Sequence, residues 1–166
     1  MDTAIQQEYK NFVATTVPLG GSNLIEASAG TGKTYSIAIL VLRLLIEKRL
    51  SLKEILMVTF TRAAVAELEE RIRLFVRSAY KASVGEKIID ETIQRMVTNA
   101  IEESDDEGVE IKALLHSAVL LLDETSVMTI HSFCQNTLTE FAFETRQIFG
   151  AETMEDSAAL MLEEVH

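Results

Sequence analysis

One stretch, from Leu24 to Glu47, limits what this chain can fold into more than any other. It opens with a short apolar run, Leu24-Ile25-Glu26, and continues as a loop of small residues, Ala27-Ser28-Ala29-Gly30-Thr31-Gly32. Lys33-Thr34 then heads a long, mainly apolar segment. Small residues let a backbone close tightly round a phosphate with its N–H groups as donors, and Gly30 and Gly32 permit that path. The dipole of a following helix adds positive potential at the same point. In such a loop a lysine reaches the β- and γ-phosphates as a point charge, and a threonine hydroxyl ligates Mg²⁺. A glycine-rich turn that merely caps a helix has no need of Lys33 and Thr34. The expectation is a nucleotide site for ATP and Mg²⁺ built from Ala27, Ser28, Ala29, Gly30, Thr31, Gly32, Lys33 and Thr34. Lys33 and Thr34 are its catalytic pair and Thr34 its metal ligand. Alanine at 27 stands where such loops usually begin with glycine.

Patterning extends this unit along the chain. Residues 1–16 read as a loosely patterned helix, Leu24-Ile25-Glu26 as a strand, and 33–47 as a helix apolar nearly all round, suited to packing on a sheet. Ile55-Leu56-Met57-Val58-Thr59-Phe60 is a continuous apolar run between polar residues, the pattern of a buried parallel strand. Thr61 is placed to cap a charged helix reaching about Ala82. Further helices are expected over 86–102 and 110–122, with an acidic loop between them. A third strand is expected over Val127–Ile130, then helices over 131–145 and 155–165. Alternation of this kind predicts α/β architecture, a partial parallel sheet flanked by helices.

Composition narrows the class. The chain has 166 residues, enough for one domain with a core, and 48% hydrophobic residues interrupted by one Pro and seven Gly. A single cysteine, Cys134, excludes a disulfide framework and a cysteine-based zinc site, and suits a reducing compartment. The N-terminus lacks the basic and apolar regions of a signal peptide. Ile37–Ile46 is broken by Arg43 and is shorter than the roughly 20 residues needed to span a bilayer. A cytoplasmic protein without a membrane partner is expected. The net charge of −11 argues against nucleic acid. Yet much of the acidity lies at 102–110 and 152–164, whereas Arg43 to Lys81 is rich in Lys and Arg.

Three segments in order carry a family resemblance. The run Leu24–Thr34 resembles motif I of UvrD/Rep-type superfamily 1 DNA helicases of the RecB type. Val58-Thr59-Phe60-Thr61-Arg62-Ala63-Ala64-Val65-Ala66-Glu67-Leu68 is similar to their motif Ia, and Thr129-Ile130-His131-Ser132-Phe133-Cys134 to their motif Ib. The resemblance implies a RecA-like P-loop NTPase domain, the first motor domain of such a helicase, over residues 1–150. Residues 151–166 would begin a truncated helical insertion. It implies an ATP-dependent DNA helicase and exonuclease acting on DNA ends in double-strand break repair and recombination, with RecC- and RecD-like partner subunits. The 166 residues alone would bind ATP but hydrolyse it poorly.

In that family the second and third motifs line the path of single-stranded DNA, which assigns DNA contacts to Phe60, Thr61, Arg62, Thr129, His131, Ser132 and Phe133. Physical chemistry is consistent with the assignment. A helix N-terminus after a strand can hold a phosphate, and an aromatic beside it can stack on a base. Each residue also has an ordinary alternative: core packing for Phe60 and Phe133, a helix cap for His131, a solvated charge for Arg62. Relatives of the AddA or UvrD kind, and a P-loop NTPase that does not act on DNA, stand as alternatives.

Two features run against easy assignment. Val119-Leu120-Leu121-Leu122-Asp123-Glu124 has the form of a Walker B motif, in which Asp123 would hold Mg²⁺ and Glu124 activate water. The helical spacing of Ile111–Ala118 leading into it favours a helix C-terminus instead. Many superfamily 1 helicases read adenine with a Gln before motif I. Here the segment is Pro18-Leu19-Gly20-Gly21-Ser22, leaving Gln6 and Gln7 as candidates by default.

Overall fold

The structure is a computed structural model that describes residues 11–28 and 30–141. It is rich in helix, with a small parallel sheet. Helix α1 spans Lys33–Lys48, strand β1 Met57–Thr59, α2 Arg62–Ser83, α3 Glu91–Glu102, α4 Val109–Leu120, β2 Val127–Thr129 and α5 Ile130–Glu140. Short 3₁₀ turns at Leu52–Glu54 and Leu122–Glu124 lead into the two strands.

Helix α2 is the hub, because α1, α3 and α4 all pack against it, as do both strands. It starts on Thr61, whose side chain accepts from the Ala64 N–H at 3.1 Å. It stops where Gly85 takes a positive φ of 89°, a conformation open to glycine at no steric cost. Its buried stripe, Leu68, Ile72, Phe75, Val76 and Ala79, meets Ile39, Leu42 and Leu45 of α1, Ile93 and Val97 of α3, and Ile111 and Leu115 of α4 in one core. Arg43 is buried among these apolar residues of α1. Its guanidinium forks onto the Glu47 carboxylate, with Nε donating to Oε1 at 2.6 Å and Nη2 to Oε2 at 3.0 Å. Nη1 donates to the carbonyls of Ala14 and Val17 at 3.0 and 2.7 Å. One side chain thereby fixes the residues before the phosphate loop to the side of α1.

Strands β1 and β2 pair in parallel with Met57 opposite Val127, Val58 opposite Met128 and Thr59 opposite Thr129. The three intervening helices form the crossover that parallel pairing requires. Thus α/β patterning holds at the coarse level, and the stretches at 33–47, 61–82 and 110–122 form helices within about two residues of expectation.

Several expectations do not hold. Leu24-Ile25-Glu26 is not a strand: it has no regular secondary structure, and Leu24 is 77% exposed. A strand needs a hydrogen-bonded neighbour, and among the described residues this segment has none. The sheet accordingly has two strands rather than three among the described residues. The run 55–60 shortens to 57–59 and is not buried on both faces. Met57 and Val127 face the core, while Val58 is 41% exposed. The expected helix over 86–102 begins only at Glu91, because Asp90 accepts from the N–H groups of Thr92 and Ile93 and acts as its N-cap. Of the N-terminal helix expected over 1–16, residues 14–16 form only a turn, and 1–10 lie outside the described residues. So do the end of the helix expected over 131–145 and the whole of that expected over 155–165.

Candidate functional site

The phosphate-loop residues meet at the head of α1. Gly30 and Gly32 take left-handed φ values of 76° and 79°, and nothing within 4 Å would crowd a β-carbon at either. It is the backbone path, more than lack of room, that calls for glycine here. Gly32 is the N-cap of α1 and brings no side-chain cap. Among the described residues no protein acceptor takes the N–H groups of Lys33, Thr34 and Tyr35, the orphan donors that every helix start leaves. Lys33 is exposed, and its ammonium donates to the carbonyls of Ser28 at 2.6 Å and Ala27 at 3.4 Å. The Thr31 hydroxyl donates to Ser28 O at 2.8 Å.

Ser28, Thr31 and Lys33 border a cleft of about 480 Å³ that is also lined by the apolar Phe12, Ile25 and Ile37. Backbone donors without an acceptor among the described residues, an exposed lysine and a cleft beside them fit a polyphosphate. The half-buried Thr34 stands at the start of the helix, where its hydroxyl can serve a phosphate-bound Mg²⁺. Ala29 lies outside the described residues.

A second group forms at the carboxyl edge of the sheet. The parallel register that sets Thr59 beside Thr129 brings the starts of α2 and α5 side by side. Both starts are capped by threonine: Thr61 Oγ1 takes the Ala64 N–H, and Thr129 Oγ1 takes the Ser132 N–H at 3.1 Å. The Thr129 and Ser132 hydroxyls also share a hydrogen bond of 2.9 Å. Phe60 projects between strand and helix and is 86% exposed, so core packing does not explain it. Phe133 is 37% exposed, His131 is exposed and makes no cap, and Arg62 has no ion pair among the described residues. Register therefore brings Phe60, Thr61 and Arg62 together with Thr129, His131, Ser132 and Phe133, while the phosphate loop forms its own cluster at α1.

The Walker-B-like run is a helix end, as the spacing of 111–118 predicts. Asp123 and Glu124 lie in a 3₁₀ turn, and Asp123 accepts from Arg73 Nη1 at 2.8 Å on the surface. In the segment before the loop, Asn23 Nδ2 donates to the carbonyls of Pro18 and Gly20, at 3.1 and 3.3 Å. Gln6 and Gln7 lie outside the described residues.

Sequence reasoning missed one joint. The Tyr35 hydroxyl donates to both carboxylate oxygens of Asp90, at 3.2 and 3.1 Å, and its ring meets Phe75 edge-on with centroids 5.1 Å apart. Asp90 followed by Glu91 and Thr92 is an N-cap pattern, but no local signal joins it to Tyr35, 55 residues away.

Sequence comparison adds an independent line. The family model described as the UvrD/REP helicase N-terminal domain matches residues 6–165. The RecBCD enzyme subunit RecB of Escherichia coli K12 is 41% identical over 152 residues, covering 87% of this chain and 12% of that protein. RecB of Buchnera aphidicola from Schizaphis graminum is 41% identical over 130 residues, 74% of this chain and 11% of that one. RecB of Haemophilus influenzae is 35% identical over 158 residues, 89% and 13%. The chain thus spans about an eighth of the length of these relatives.

Proposed function

The chain belongs to the UvrD/REP helicase family, and from that premise we propose that it forms the nucleotide-binding part of an ATP-dependent DNA helicase and exonuclease subunit of the RecB kind. The reading covers a RecA-like first motor domain over 1–150 and the start of a helical insertion over 151–166. It acts on DNA ends in double-strand break repair and recombination in the cytoplasm, beside RecC- and RecD-like subunits. The name of the relatives, a subunit of a RecBCD enzyme, motivates the partners. No described helix is long and apolar enough to cross a membrane.

The observation that carries this reading is the head of α1, where three N–H groups have no acceptor among the described residues and Lys33 donates to the carbonyls of Ser28 and Ala27. Lys33 would exchange the Ser28 and Ala27 carbonyls for the phosphates of bound Mg-ATP, and the N–H groups at the head of α1 would donate to them. Thr34 would hold Mg²⁺ through its hydroxyl, and the ion would supply charge neutralisation at the phosphates. At the sheet edge, the N-termini of α2 and α5 hold backbone phosphates of single-stranded DNA and Phe60 stacks on a base. Asp123 and Glu124 lie in a 3₁₀ turn after α4, with Asp123 on Arg73 at the surface, and take no part in this reading of the site; the 166 residues alone are expected to turn ATP over slowly.

The test is paired. Lys33→Ala should abolish binding of a fluorescent ATP analogue while leaving DNA binding intact. Phe60→Ala should weaken binding of labelled single-stranded DNA by about 5- to 150-fold, the equivalent of one stacked base at ~1–3 kcal/mol. Unchanged nucleotide affinity in Lys33→Ala would end the phosphate-loop reading. Unchanged DNA affinity in Phe60→Ala would favour a P-loop NTPase domain that holds DNA elsewhere or not at all.

A further inference from the structure

The phosphate loop has an anchoring problem that its own residues do not solve. The side-chain hydrogen bonds of its described residues all close within the loop: Thr31 to Ser28, and Lys33 to Ala27 and Ser28. Its helix starts on a glycine that offers no side-chain cap. A cradle of backbone donors binds well only if those donors are held in place before the ligand arrives, because ordering them on binding costs affinity.

The first residue after the loop to reach another element is Tyr35, directly following Thr34. Its ring lies edge-on to Phe75, a core residue of α2, at an interplanar angle of 78°. Its hydroxyl donates to Asp90, whose carboxylate simultaneously caps α3 through the N–H groups of Thr92 and Ile93. Burial pushes the Tyr35 phenol above its ordinary pKa, and the hydroxyl stays a protonated donor.

We propose that Tyr35 is the positioning residue of the nucleotide site, locking the uncapped first turn of α1 to α2 through Phe75 and to the N-terminus of α3 through Asp90. The proposal rests on the nucleotide reading given above for its function, although the lock itself is independent of any ligand. Tyr35 touches neither the phosphates nor the metal in this account. It fixes the backbone of Lys33 and Thr34, and the cost of losing it falls on preorganisation.

Tyr35→Phe keeps the ring against Phe75 and removes only the hydroxyl. Asp90→Ser keeps a capping oxygen for α3 but shortens the side chain that meets Tyr35. Both variants and their combination are compared with wild type at a temperature where all are folded, by titration with a fluorescent Mg-ATP analogue and by amide hydrogen exchange. Each single variant is expected to raise the analogue Kd about 3- to 10-fold, the factor one net hydrogen bond supplies, and the double variant no further than either alone. Exchange at Ser36, whose N–H bonds to Gly32 O at 2.9 Å, and at the next amides of the first turn of α1 should quicken in each, while exchange over α4 stays as in wild type. A purely structural role would lower thermal stability and leave the Kd and the local exchange unmoved, and that result would overturn the proposal. If wild type binds no nucleotide, the functional reading fails separately, and exchange at Ser36 and the next α1 amides alone decides the lock: unchanged protection there in Tyr35→Phe refutes it.

Discussion

Replacing Arg43 with alanine removes a cation that sits 6% exposed between α1 and the chain before the phosphate loop. Four hydrogen bonds go with it, two to the Glu47 carboxylate and two to the carbonyls of Ala14 and Val17. Breaking a buried ion pair from one side costs about 3–5 kcal/mol, largely because the remaining charge is stranded. Glu47 is not stranded here: its side chain is 43% exposed, and water can take over its oxygens. That discount puts the loss at the lower end, about 3 kcal/mol, most of it from the two orphaned carbonyls and the lost packing of the arginine stem. Arg43→Lys keeps the charge but not the planar fork, cannot serve Glu47 and both carbonyls with the same geometry, and should lose about 1–2 kcal/mol. Urea unfolding at constant slope measures both. Hydrogen exchange at Thr16 and Val17, whose N–H groups bond to Val13 O at 3.1 and 3.0 Å, shows whether the turn loosens as α1 persists. A loss below 1 kcal/mol in Arg43→Ala, or a lysine variant as stable as wild type, would refute the view that the guanidinium fixes this segment.

Two further expectations concern the acidic connection between α3 and α4. Gly108→Ala would place a β-carbon 2.7 Å from Ile101 Cγ1 at a φ of 76°, a clash and a strained backbone together, and should lower stability by ~2 kcal/mol in thermal unfolding. The Asp106 carboxylate is held below its ordinary pKa, first by the hydrogen bond from the Glu110 N–H at 2.7 Å and then by Ser104 and the Gly108 N–H. A depressed carboxylate stabilises above its unfolded pKa and loses that contribution as pH falls through the lowered folded value. Amide protection at the start of α4 should therefore weaken as the solution is acidified through that range, and Asp106→Asn should show no such step.

What the sequence made legible divides along a physical line. Helices whose apolar stripe and cap agree were readable directly: α2, with Thr61 at its start and Leu68, Ile72, Phe75 and Ala79 on one face, lies within a residue of its expected span. So does α1, whose near-continuous apolar surface is answered by burial on several sides. The sheet was less legible, because a strand is stabilised by neighbours that the sequence does not specify. Leu24-Ile25-Glu26 has the composition of a strand and lacks a partner among the described residues, and Val58 shares an apolar run with Met57 but faces the open side. The start of α3 was misread for a different reason. Ile88 and Ile89 extend the apolar pattern backward, whereas the Asp90 cap fixes the helix start after them. At the site, residue types in the phosphate loop and in the strand-to-helix turns were readable from local chemistry. Tyr35 with Asp90 and Arg43 with Ala14 and Val17 were not, since those pairs lie 55, 29 and 26 residues apart.

The charge argument is where local structure corrects composition. A net charge of −11 weighs against a DNA partner only if the charges act as one field, and at physiological salt they are screened beyond about 8 Å. Part of the basic stretch from Arg43 to Lys81 is already committed to carboxylates. Arg43 is committed to Glu47, Arg49 lies 3.5 Å from Glu110, and Arg73 is paired with Asp123. What the sheet edge offers an anion is short-ranged: the partial positive charge of two neighbouring helix starts, Arg62, which has no ion pair among the described residues, and the open ring of Phe60. A nucleic acid held there is held by contact donors and stacking within a few ångströms of Thr61 and Thr129. Such a mode of binding is compatible with an acidic protein in a way that a long-range basic patch is not.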